Sequence, residues 1–79
     1  MHVVSILYAG LLVQAAAGQT AAAAAQSALR EGTVAQEHGD LKTAIADFKK
    51  ALSLNPNLIE ARANLGAALA AAVLAARRR

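Results

Sequence analysis

The segment from Gly39 to Pro56, GDLKTAIADFKKALSLNP, constrains this chain more than any other part of it. Gly39 can end one helix in a left-handed conformation, and Asp40 can cap the next through its side-chain oxygen. Leu41, Ala44, Ile45, Phe48, Ala51 and Leu52 then recur at helical spacing on one face. Lys42, Asp47, Lys49 and Lys50 form the opposite one, the pattern of a half-buried helix over 41–52. Asn55-Pro56 stops that helix and opens a third. The succession of helix, tight turn, helix, tight turn, helix predicts an all-α fold, a helical hairpin plus a C-terminal helix. Such a fold is a scaffold for binding other polypeptides and carries no chemistry of its own.

The flanking sequence supplies the other two helices. The first is expected over residues 22–38, with Ala28, Leu29, Gly32 and Ala35 inward. Arg30, Glu31, Gln36 and Glu37 then face water or a ligand. Gly32 in mid-helix costs about 1 kcal/mol against Ala, a cost that usually marks the close approach of another helix. The third is expected from Asn57 to Arg77, rich in Ala and Leu and polar only at its tip.

Ala44-x3-Phe48 with the downstream Pro56 resembles the second half of the tetratricopeptide repeat. Gly32, Gly39, Ala44, Phe48, Ala51 and Pro56 fall at the places characteristic of that 34-residue unit, so residues 25–58 make one full repeat. A second unit opens at Ile59, where Leu65-Gly66 matches the pattern's L-G pair and Gly66 lies one period after Gly32. Ala28 and Arg62 replace its large aromatic, Glu31 replaces its Leu, and Val73-Leu74 stand where Gly39-Asp40 would recur. Residues 59–79 therefore resemble the first helix of an incomplete second repeat with an arginine tail. The resemblance implies a peptide-binding groove lined by the first helix of each repeat. Arg30 and Asn64 share one repeat position there, and Thr33, Gln36 and Glu37 lie on the same side of the first helix.

The N-terminus has a different character. Val3 to Val13 is an apolar run broken only by Ser5 and Gly10, followed by Ala15-Ala16-Ala17-Gly18. An apolar core of about 7–15 residues before an A-x-A-like site is the shape of a secretory signal peptide, here 1–17. Cleavage is expected before Gly18 or Gln19, giving an exported protein, periplasmic or secreted. A spanning helix needs about 20 apolar residues, which would force the run through Gln14, Gly18, Gln19 and Thr20. Residues 18–24 are then an alanine-rich linker or the start of the first helix.

Charge and chemistry narrow the function further. The net charge of +3 is supplied entirely by Arg77, Arg78 and Arg79, so the body is balanced and a nucleic-acid face is not indicated. His38 beside Gly39-Asp40 reads as turn chemistry, while Ser5 and Ser27 have no base at motif spacing. No phosphate loop and no metal-ligand spacing occurs, so neither catalysis, metal nor cofactor is expected. With 23 alanines, one Phe and no Cys, the core is thin and has no disulfide to support it. Leu65, Leu69, Val73 and Leu74 should be left uncovered on the last helix, which suggests a homodimer through them.

The expected function is a small exported interaction module binding a peptide or protein partner. Two alternatives stand beside it. One is a membrane-associated helical peptide anchored by residues 3–13. The other is a fragment of a longer array without independent function.

Overall fold

The computed structural model describes residues 20–78. The apolar segment 3–13 and both expected cleavage sites lie outside the described residues, as does Arg79. Three helices follow one another, α1 (Ala21–Glu37), α2 (Leu41–Leu54) and α3 (Ile59–Arg77), and no strand occurs among the described residues. The expected all-α hairpin with a third helix is the fold observed.

Helix α1 begins inside the alanine run. The Thr20 hydroxyl oxygen accepts a hydrogen bond from the Ala23 N–H at 3.0 Å, satisfying one of the free donors of the first turn. Alanine has the highest helix propensity, so a cap at Thr20 suffices to make residues 21–25 helical. At the other end the Asp40 N–H donates to Ala35 O at 2.8 Å and the Gly39 N–H to Gln36 O at 3.0 Å. This crossed pair closes the helix only if the residue between turns left-handed, and Gly39 has φ +77°.

Asp40 serves two helices at once. Its backbone N–H finishes α1, and its Oδ1 accepts from the Thr43 N–H at 3.2 Å to start α2. The resulting three-residue connection folds α2 back along α1.

The second connection differs from its sequence reading. Pro56 was expected to open the third helix, but that helix starts at Ile59. The Leu58 N–H donates to Asn55 O at 3.1 Å and the Asn57 N–H to Asn55 Oδ1 at 3.2 Å, so residues 55–58 form a turn first. Pro56 is its second residue, where a fixed φ suits the turn. Helix α2 meanwhile runs to Leu54, two residues beyond the expected end.

Helix α2 is the middle layer, with α1 on one side and α3 on the other, and α1 and α3 scarcely meet. The core consists of Ala28, Leu29 and Ala35 from α1, Ala44, Phe48 and Ala51 from α2, and Ala61 and Ala68 from α3. Ile45, Leu52, Leu58 and Leu65 pack against it half-buried. Among the described residues Phe48 is the one large side chain fully buried, and it lies over Gly32. A Cβ at Gly32 would stand 2.6 Å from Phe48 Cε1, which explains why the helix accepts a glycine there.

Leu65 requires a correction. It was grouped with Leu69, Val73 and Leu74 on one uncovered face, yet it packs inward while those three are exposed. Ala61, Leu65 and Ala68 are spaced by four and three residues, so the helical turn places Leu65 on the side that meets α2.

Candidate functional site

Two surfaces stand out among the described residues. The first is a pair of shallow depressions beside α1. One is lined by Gln26, Leu29, Arg30, Thr33 and Val34 of α1 with Glu60 of α3. The other runs between α1 and α2, past Arg30, Glu31, Val34 and Ala35 to Thr43 and Asp47. Arg30 and Val34 belong to both, and form the ridge between them.

The side chains there are held by their own helix. The Arg30 Nη2 donates to Ser27 Oγ at 3.1 Å, which turns the guanidinium back along α1. The Thr33 hydroxyl donates to Leu29 O at 2.9 Å. Val34 is half exposed at 51%, an apolar centre between the charges of Arg30, Glu31, Asp47 and Glu60. An apolar patch rimmed by both signs of charge suits a peptide, which brings backbone polar groups and side chains of either sign.

Of the groove residues expected from the repeat, the structure brings Arg30 and Thr33 together and adds Gln26, Leu29, Val34 and Glu60. Gln36 is half-buried and Glu37 exposed at the end of α1, and Asn64 is half-buried on α3. None of these three lines the depression. The signal for the missed pair was available, since Gln26 and Glu60 are one 34-residue period apart, as Arg30 and Asn64 are.

The second surface is the outer side of α3. Leu69, Val73 and Leu74 are 44%, 53% and 56% exposed, and Ile59 is 79% exposed. Gly66 sits among them with nothing within 4 Å of the place its Cβ would take. Helix α3 is also the one described helix long and apolar enough to cross a membrane by length and composition. It nonetheless commits Ala61, Leu65 and Ala68 to α2.

Two further polar residues lie at the turn between α1 and α2. His38 is exposed at the C-terminus of α1, and its N–H donates to Val34 O at 3.1 Å. Hydrogen bonds from the Thr43 side chain and N–H hold the Asp40 carboxyl below its usual value of 3.8, helped by the Lys42 charge and opposed by slight desolvation. Among the described residues no three His, Cys, Asp or Glu side chains gather as metal ligands.

Comparison with known proteins agrees with the geometry. No curated protein and no solved structure matches the chain. Residues 36–72 match a family model described as TPR repeat, and they run from the end of α1 through the turn and α2 into most of α3. The Gly39 turn, the Phe48–Gly32 contact and this match agree, and residues 36–72 carry a tetratricopeptide-type repeat.

Proposed function

We propose that this protein is an exported interaction module which binds a peptide or protein segment across the α1 depressions. Repeats of this family serve generally as protein-interaction modules, and the match over residues 36–72 supports that reading here. The observation that carries the reading is the apolar ridge at Val34, flanked by Arg30 and Glu60 from two successive repeat units. Val34 would cover apolar side chains of the ligand, while Arg30 and Glu60 orient it by charge. Export rests on the apolar run Val3–Val13 followed by Ala15-Ala16-Ala17.

A photoreactive residue in place of Val34 tests the binding surface. Light should join the full chain to one discrete partner in its host, and Arg30→Glu in the same chain should abolish the adduct. Adducts that survive the charge reversal would refute the assignment. For export, protein recovered from an extracytoplasmic fraction should begin at Gly18 or Gln19, and an intact Met1 there would rule out cleavage.

A further inference from the structure

Helix α3 repeats, 34 residues on, the face with which α1 receives α2. In α1 that face is Ala28, Gly32 and Ala35, all buried, with Phe48 seated in the notch that Gly32 leaves. In α3 the same positions are Arg62, Gly66 and Leu69, and the notch at Gly66 is open among the described residues. Continued at helical steps of three and four, the stripe runs Ile59, Arg62, Gly66, Leu69, Val73, Arg77. Each of the six is exposed, whereas Ala61 and Ala68 on the opposite side are buried against α2. The outer face of α3 thus has the form of a seat for one more helix, with room for a large side chain at its centre.

The charges on that seat select its occupant. Arg62 stands toward one end and Arg77 at the other, followed by exposed Arg78. The Arg62 Nη2 donates to Pro56 O at 2.9 Å. Glu60, the one acidic residue of α3, lines the depression beside α1 instead. A second copy of this helix, packed so that the two stripes align end to end, would set arginine against arginine in either orientation. Parallel packing pairs each with its counterpart, and antiparallel packing pairs Arg62 with Arg77. Like charges so placed repel, and opposite charges at the same places attract.

We propose that the outer face of α3 docks an amphipathic helix of another protein, anionic along its rims, with an aromatic side chain in the notch at Gly66. The aromatic takes the place there that Phe48 takes over Gly32. The carboxylates along the rims meet Arg62 and Arg77. This surface is separate from the α1 depressions, and its test is independent of theirs.

The test uses the full chain, isotope-labelled, and a synthetic peptide with the α2 sequence of residues 41–54 carrying Lys42→Glu, Lys49→Glu and Lys50→Glu. Titration should shift the amides of residues 62–77 in a saturable way. The unaltered, net-basic α2 peptide should bind about fivefold more weakly, the size expected of a few exposed charge pairs. The anionic peptide with Phe48→Ala should lose about tenfold or more, as does removal of a central aromatic anchor. In the protein, Gly66→Leu fills the notch without touching the fold, since nothing lies against Gly66, and should weaken binding by a similar factor. A normal helical spectrum for this variant separates lost binding from unfolding.

Several results would overturn the proposal. One is the absence of shifts at about 1 mM peptide, the weak end of measurable affinity. A footprint on α1 instead of α3, or equal affinity for the basic peptide, would do the same. Indifference to Gly66→Leu would remove the notch from the account. Concentration-dependent dimers that bury the same amides would assign the face to a second copy. Binding of phosphatidylglycerol vesicles by α3, with no response to the peptide, would assign it to a lipid surface.

Discussion

Gly32 and Gly66 occupy one repeat position in two helices, and their surroundings give them opposite physics. At Gly32 an added methyl would lie 2.6 Å and 2.7 Å from the Phe48 ring and 3.2 Å from Asp47 Cβ. The ring is fully buried, so it cannot give way into solvent. Overpacking of this kind costs about 1–3 kcal/mol, against a gain of about 1 kcal/mol in helix propensity. Gly32→Ala should therefore lower the melting temperature. Gly66→Ala meets nothing within 4 Å and should raise stability by about 0.5–1 kcal/mol, a shift of several degrees in a domain this small. Thermal melts of the two variants check the signs, and melts that move together would contradict the packing. In a Phe48→Leu background the penalty of Gly32→Ala should shrink, because the ring it strikes is gone. Phe48→Ala alone should cost about 3–5 kcal/mol, comparable to the whole stability of so thin a core.

The elements show where sequence was sufficient and where it was not. Helix α2 and the turn before it were readable because each signal was local: a left-handed glycine, a cap and an unbroken apolar stripe. The turn after it was misread at Pro56, since proline suits the second position of a turn as well as the first residue of a helix. On α3 the apolar residues are spread around the whole helix. Periodicity there could not tell Leu65, which meets α2, from Leu69, which does not. In the α1 depressions Arg30 and Thr33 were found from the repeat, while Val34 was missed because its exposure depends on the crossing of α1 and α2.

The turn itself carries a pH dependence. The Asp40 carboxyl is held below 3.8 in the folded protein by hydrogen bonds from Thr43 that exist only once α2 has formed. A lowered folded value means that the charged cap stabilises the fold above the ordinary carboxylate range. That contribution is lost as pH falls below 3.8 through the folded value. Asp40→Asn keeps a good capping group but removes the titration. Between neutral pH and about pH 2 the wild type should lose melting temperature relative to this variant. Parallel curves would show that the cap is not the titrating group that matters.

At the scale of the whole molecule, stability should fall off from α2 toward the end of α3. Helix α2 is covered on both sides, and its Ala44, Phe48 and Ala51 are fully buried. Helix α3 is covered on one side, and it is anchored completely only at Ala61 and Ala68. Beyond Ala72 every described residue is exposed, and of residues 73–77 only Ala75 and Ala76 face α2, across a shallow depression shared with Leu41. A turn and a half so lightly held has too few hydrogen bonds to offset the loss of backbone freedom, even in an alanine-rich sequence. Amide exchange should accordingly be slow and governed by global unfolding at residues 44–51, and fast at residues 73–77. Mass spectrometry or NMR of the full chain in deuterated water gives the profile directly. A partner helix seated on the outer face of α3 should slow exchange at Val73 and Leu74 while leaving residues 44–51 limited by the same global event. Equal protection of residues 44–51 and 73–77 in the free protein would mean that something already covers α3.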